Sequence, residues 1–511
     1  MSHLKHIPES AVITGWDFST SGVKCLAFDV AGNTIAEVRL PTDLWTKGGV
    51  SELNLLQLEG QARASVRAMA DALRAKGRLN DWLAGGISAT HHTSGRINAH
   101  GNQVRRAICW NDTTLARYHG IGLKRLGGPK KVRELIGGPW AIRYSLSHLV
   151  KDEIKLHAAD WHRTAKILSH GALAAGYLTD NFGVTSVSSA ASTGIMDLRT
   201  NQWRREMLDA IEAPGYRDLA WNALPRIIDH FEPIGPLAAG LASEAHLPHA
   251  PMIFPTSDDQ QAGLIGGGAV DSGQMAIILG TSAVVNSSSS VFPRTDSLDV
   301  MKLNWGPYLW MRCYSNGAQF LNKIVGKHPN WSALDEQARA IEPGCDDTLV
   351  APFVYPEPSL GVMAPSFRWS PKLPVQRAVR FRASLEALAY LIALGVQQHE
   401  DAGQSISRIT VSGGIARSPL MCEILASVLN SPLEQLESDE GPALGAAVTA
   451  LAAMENYLRT QNGESQRYSV ADAVAQIVRF RSTVAPNADW ARAYSKGLQR
   501  FIKFAGIRKR R

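Results

Sequence analysis

The chain has 511 residues, 45% of them hydrophobic and 19% charged. That balance fits a globular protein of more than one domain and argues against a disordered or fibrous one. Part of the net charge of +7 sits in Arg508-Lys509-Arg510-Arg511, which reads as a solvated tail, and no basic run interleaved with aromatics elsewhere marks a nucleic-acid surface.

Five scattered cysteines without CxxC spacing point to neither a disulfide framework nor a zinc site. No apolar run is long enough to span a bilayer, and Met1–Ser10 lacks an apolar signal core. The expected location is therefore cytoplasmic.

The chain opens as a β-meander. Residues 11–18 and 25–29 read as strands around the turn Ser19-Thr20-Ser21-Gly22, and 34–40 as a third strand after Ala31-Gly32-Asn33. Leu58, Ala62, Val66, Met69 and Leu73 recur at helical spacing. Residues 83–90 form a strand ending in His91-His92-Thr93-Ser94, and 103–110 another ending in Asn111-Asp112.

From about 120 to 250 the pattern is mainly helical. A strand at 251–255 precedes Thr256-Ser257-Asp258-Asp259-Gln260-Gln261-Ala262-Gly263. Strands at 275–279 and 283–286 flank Gly280-Thr281-Ser282, repeating the opening unit and suggesting two related halves that divide near residue 250. A helix at 383–399, a strand at 408–411 closed by Ser412-Gly413-Gly414, and helices from Ser418 and Gly441 follow. Trp490, Tyr494, Leu498 and Phe501 form one helical face, expected to dock on the second half.

The residues with chemistry cluster at strand ends. A Gly/Ser/Thr turn offers backbone N–H groups and hydroxyls to phosphate. An acidic residue beside it, Asp17, can hold hydrated Mg²⁺. Gly280-Thr281-Ser282 repeats that chemistry, and the glycines Gly413 and Gly414 let a nucleoside lie flat against the backbone. The absence of GxxxxGK[ST] excludes a P-loop. Phosphoryl transfer needs a carboxylate to accept the acceptor hydroxyl's proton, and Asp258 or Asp259 can supply it. The adjacent pair His91-His92, read as a strand end, should point its rings opposite ways. One would face the pocket and one would be packed or solvated, with no metal between them.

These pieces, in this order, resemble the FGGY family of carbohydrate kinases over nearly the whole chain, and within it the xylulose kinases most. The resemblance implies an α/β protein of two actin-like (ribonuclease H-like) ATPase domains about a central cleft. Residues 1–250 would mainly bind sugar; residues 251–511 would mainly bind nucleotide and end in a helix and the basic tail.

It also implies ATP-dependent phosphorylation of a small sugar, a pentulose such as D-xylulose, by in-line transfer with Mg²⁺. Kinases of ribulose, gluconate, glycerol or erythritol are the alternatives, as is a catalytically silent sugar sensor. Asp259 falls on the family's catalytic aspartate and Asp17 on its metal-side aspartate, with Asp259 also facing the metal. Ser19, Thr20, Ser21 and Lys24 match the first phosphate segment, with Ser19 where a Gly is common. Gly280, Thr281 and Ser282 match the second, and Gly413, Gly414 and Ser418 the adenosine segment.

Trp110, Asn111, Asp112 and Gln260 are implied sugar contacts. By register, Thr93 and Ser94 stand where xylulose kinases carry Met-His. The family's Gly-Glu-Arg element is missing, with Tyr355-Pro356-Glu357-Pro358 near its place. The expected partners are the sugar and ATP, with no nucleic acid and no membrane; a homodimer is the assembly considered.

Overall fold

The computed structural model describes residues 3–255, 257–326 and 329–507. Thr256 and the basic tail at 508–511 lie outside the described residues. The contacts divide the chain into two units. The first gathers Met1–Gly266, Val300–Tyr308 and Pro442–Val478; the second gathers Gly267–Asp299, Leu309–Gly441 and Arg479–Arg511. This partition differs from the division expected at residue 250, because two later segments return to the first unit.

The first unit is built on Val12–Phe18, buried at every position. Such a strand must be covered on both faces, as in a sheet flanked by helices. It pairs antiparallel with Gly22–Asp29, setting Asp17 opposite Lys24, and parallel with Trp82–Ala89, setting Asp17 opposite Ser88. Thr34–Pro41 extends the meander. Met252–Ile253 and Ser257–Asp258 add to the other edge of Trp82–Ala89 in parallel.

Three parallel strands therefore end at one edge, and the residues that follow them are brought together. A smaller sheet orders Trp45–Lys47, Val50–Leu53, Gln103–Ile108, Ser94–Ile97 and Lys166–Ser169. Helix Leu55–Ala75 buries Leu58, Ala62, Val66, Met69 and Leu73, the spacing read from the sequence.

Helix Gly441–Gln461 explains why a late segment belongs to this unit. A Cβ on Gly15 would lie 1.8 Å from the Ala443 carbonyl oxygen, and one on Gly86 would lie 2.0 Å from that of Ala446. A Cβ on Gly445 would lie 1.9 Å from the carbonyl oxygen of Ala262. Helix and sheet thus meet backbone to backbone, a distance only glycine permits at these positions.

The second unit repeats the scheme. Gln274–Leu279 pairs antiparallel with Ala283–Ser289 and parallel with Arg408–Ser412. The sheet continues to Leu433–Leu436 and Phe480–Val484. Helices Arg377–Asp401 and Pro419–Leu429 pack into one core with it. The C-terminal helix Ala488–Ala505 docks on the same core through Tyr494 and Phe501, with Trp490 and Leu498 beside them. Arg382 donates a 2.6 Å hydrogen bond to the Tyr494 hydroxyl. Among the described residues no helix is long and apolar enough to cross a membrane.

Replacement of Gly86 by Ala drives a methyl into backbone that cannot swing aside, so it should destabilise the protein by about 3 kcal/mol, the upper end of the overpacking range. Gly60→Ala makes a clean control. Gly60 lies inside helix Leu55–Ala75 with nothing within 4 Å of its missing Cβ, so the change should stabilise by up to about 1 kcal/mol. Thermal unfolding of the two variants should move in opposite directions.

Candidate active site

The parallel strand ends of the first unit carry the carboxylates. Asp17 is buried and accepts a 3.0 Å hydrogen bond from the Ser88 hydroxyl, its neighbour in register. Trp82–Ala89 stops at Ala89, and Thr90 makes a last backbone bond to Phe18. The chain then turns sharply, because His92 adopts a left-handed backbone with φ 56°.

This turn overturns the expectation of diverging imidazoles, which assumed that the strand continued. The two rings stack at 3.9 Å and 15°, and His92 stacks in turn on Tyr144 at 4.4 Å. His92 Nδ1 donates to the Ser192 carbonyl at 3.0 Å. Burial holds its pKa well below the ordinary histidine value, with the neighbouring His91 adding to the effect, so His92 is a neutral ring.

His91 is the residue that faces the Asp258-Asp259 loop. Its Nε2 lies 2.9 Å from Asp258 Oδ2, and its Nδ1 lies 3.9 Å from Asp259 Oδ1. The two aspartates differ in access: the Asp258 side chain is 3% exposed and that of Asp259 is 28% exposed. Asp259 opens helix Asp259–Gly266, where the N-terminal dipole favours a carboxylate. Burial works against it and pushes the Asp259 carboxyl up to about 6; His91 pulls it down, and Asp258 adds to the rise. Gln260 is half-buried beside it.

The loop is braced from residues that no local pattern pairs with it. Asp258 N–H donates to Ser188 Oγ at 3.0 Å. Ser188 N–H donates to Asn304 Oδ1 at 2.8 Å, and Asn304 Nδ2 reaches Ser257 Oγ at 3.4 Å. Gln261 Nε2 donates to the Lys302 carbonyl at 2.9 Å.

Several expected site residues spend their polar groups internally. Thr93 is fully buried, with its hydroxyl 3.4 Å from the His91 carbonyl. Ser94 already lies in the next strand and donates to His148 Nδ1 at 2.9 Å. Burial, with Arg105 nearby, lowers His148 to about 3, so it is a neutral acceptor there. The place beside Asp259 expected for Thr93 and Ser94 thus belongs to His91.

Asp112 accepts from the Thr114 N–H at 2.8 Å and pairs with Lys151 at 2.7 Å. It braces its loop through both carboxylate oxygens. Trp110 is 40% exposed. Asn111 has a buried, unpartnered Oδ1 and lines a shallow cleft of about 250 Å³ with Lys47, Ser51 and Thr113. In the first turn, Ser19 Oγ donates to the Gly22 carbonyl at 2.7 Å and accepts its N–H at 3.1 Å. Ser19 closes the turn, and Thr20 and Ser21 are its outer residues. Lys24 is half-buried opposite Asp17.

In the second unit, Gly280-Thr281-Ser282 caps the hairpin, with Thr281 exposed. Gly413 has φ 94°, and its missing Cβ would lie 2.6 Å from the Leu279 carbonyl oxygen. The glycine segment therefore sits against the strand that leads into the hairpin. Nothing lies within 4 Å of a Cβ on Gly414. Ser418 instead caps helix Pro419–Leu429, accepting the Met421 N–H at 3.0 Å, and donates to Asp335 at 2.6 Å. Its hydroxyl is a structural cap.

Residues 12–266 match the N-terminal domain of the FGGY family of carbohydrate kinases, and residues 332–454 match the C-terminal domain. A xylulose kinase of Haemophilus influenzae is 23% identical over 82% of this chain and 83% of its own. Among solved structures, a ligand-bound xylulose kinase from Lactobacillus acidophilus superposes with a TM-score of 0.82 at 18% identity, covering 97% of this chain and 98% of that one. A gluconate kinase from the same organism gives 0.80 at 18% identity and the same coverage. The fold is thus that of the actin-like sugar kinases, and it is shared across enzymes named for different sugars. The chain belongs to the FGGY family of carbohydrate kinases and is an ATP-dependent carbohydrate kinase.

Proposed function

We propose that the protein phosphorylates a pentulose, D-xylulose first among them, with Asp259 as the general base. The observation that carries this reading is the place of the Asp259 carboxyl, at the start of its helix, open on one side and held near His91; burial there raises its pKa, in keeping with that role. A base works best when its pKa approaches the operating pH. Asp258, buried against His91, is poorly placed for that task.

Asp259 takes the proton from the sugar hydroxyl that attacks the γ-phosphorus of ATP. His91, Trp110, Asn111 and Gln260 orient the sugar, and the neutral His92 stacked on Tyr144 backs His91. Within the first unit Thr20, Ser21 and Lys24 are assigned to phosphate; within the second, Gly280, Thr281 and Ser282 are assigned to phosphate and Gly413 and Gly414 to adenosine. The enzyme acts in the cytoplasm on these two small partners.

Asp17 would hold hydrated Mg²⁺, with Asp259 facing the ion only through water, so that its carboxylate stays free to accept a proton. Their hard oxygen donors fit that ion, which keeps several waters and needs only one or two carboxylates, and Asp259 Oδ1 is buried without a hydrogen-bond partner. When bound, the ion neutralises phosphate charge.

Two measurements test this reading. In an ADP-release assay across D-xylulose, D-ribulose, gluconate, glycerol and erythritol, kcat/KM should be highest for D-xylulose, with D-ribulose next. A wide preference for glycerol or gluconate would overturn the pentulose assignment. The pH profile tests the base. Asp259 works ionised, and its pKa is raised, so activity must fall on the acid side: kcat/KM for the sugar should drop about tenfold per unit below about pH 6. A carboxylate with an ordinary pKa would hold its activity to about pH 4.

A further inference from the structure

The Gly280-Thr281-Ser282 hairpin makes few bonds of its own. Its strand pairing ends at Leu279 and Ala283, and one bond from Gly280 N–H to the Ser282 carbonyl closes it. A phosphate cradle must nevertheless be rigid, since its value lies in donors already aimed at the ligand.

The rigidity comes from the segment Ser315-Asn316-Gly317. A Cβ on Gly317 would lie 2.7 Å from the carbonyl oxygens of both Gly280 and Thr281 and 2.8 Å from the carbonyl carbon of Ser282. Ala318 N–H donates to the Gly280 carbonyl at 2.9 Å. The segment thus lies against the hairpin backbone along the whole turn.

That segment is held by one carboxylate. Glu357 is 4% exposed. Its Oε2 accepts the Ser315 N–H at 2.9 Å and Asn316 Nδ2 at 3.2 Å, and its Oε1 accepts the Ser359 hydroxyl at 3.2 Å. Asn316 adds a second tie, accepting the Tyr355 N–H at 2.9 Å and donating to the Tyr355 carbonyl at 3.2 Å. The Glu357 backbone is fixed by bonds in both directions to Val362. No ion pair involving Glu357 occurs among the described residues. Arg312 acts on it only through space, and a buried carboxylate without a direct ion pair is a costly way to fill space. Hydrogen bonds to a charged acceptor are also the strong ones, so it is an effective way to fix a loop.

We propose that Glu357 is a positioning residue for the nucleotide phosphates, acting through Ser315-Asn316-Gly317 on the Gly280-Thr281-Ser282 hairpin. The proposal rests on the assignment of that hairpin to phosphate. A merely structural Glu357 would affect folding and leave the ATP KM alone.

The test is a KM comparison among purified full-length variants, with Thr281→Val as the reference for the hairpin. Glu357→Ala should raise the ATP KM by about tenfold, as expected for losing charge-assisted hydrogen bonds, with the sugar KM within about twofold of wild type. Glu357→Gln keeps an acceptor for the Ser315 N–H and should recover most of the loss. Ser359→Ala cuts only the local turn contact and should leave both KM values unchanged.

If Glu357→Ala does not fold, Asn316→Ala carries the test, with an expected rise of about threefold in the ATP KM. A raised ATP KM in Thr281→Val, with wild-type values in every folded Glu357 and Asn316 variant, would overturn the positioning role alone. Wild-type ATP kinetics in Thr281→Val as well would overturn the phosphate assignment beneath it.

Discussion

The helix that carries Asp259 has no freedom to slide. Its Ala262 carbonyl lies where a side chain on Gly445 would begin, and the helix bearing Gly445 is pressed in the same way against Gly15 and Gly86 of the sheet. Interiors packed at this density transmit displacement instead of absorbing it. One helix therefore fixes two things relative to each other: the strand that ends at Asp17 and the helix that starts at Asp259. A general base must be placed to within a fraction of an ångström of its proton. Backbone contact is the stiffest means a protein has of doing so.

Within that frame the electrostatics are a balance of opposed effects. Burial raises the Asp259 carboxyl, and Asp258 raises it further; the helix N-terminus and His91 resist. A fully hydrated carboxylate would be a weak base at neutral pH. One buried as deeply as Asp258 could not reach a substrate. Asp259 stands between those limits because it is the first residue past the strand, where the sheet edge stops covering it.

The fold was legible where the pattern is local. The meander, the helix at Leu58–Leu73, the repeated strand–turn–strand unit and the C-terminal docking face all follow from periodicity and turn residues, and all appear in the structure. Asp17 and the glycines of the second unit fall at strand ends, as the pattern predicts. Strand ends with acidic or Gly-rich residues announce a site without any tertiary knowledge.

What escaped depends on contacts across the sequence. Asn304 and Lys302 brace the loop at residues 257–261 from a segment about forty residues on, and no spacing rule links them to it. The His91-His92 turn was misread as a strand end because nothing in the sequence marks a histidine in the left-handed region. A hydroxyl or carboxylate in a suggestive motif also gives no sign of being spent elsewhere, as Ser19, Ser94, Asp112 and Ser418 are. The residue type is legible; its partner is not.

The most direct test of the account is a single-turnover measurement of γ-phosphoryl transfer from bound ATP to D-xylulose in the wild type, Asp259→Asn and Asp258→Asn. The account predicts that Asp259→Asn slows transfer by at least ~10²-fold with ATP binding unchanged, and that Asp258→Asn is the milder of the two. Transfer at the wild-type rate in Asp259→Asn, or a dead Asp258→Asn beside an active Asp259→Asn, would contradict it.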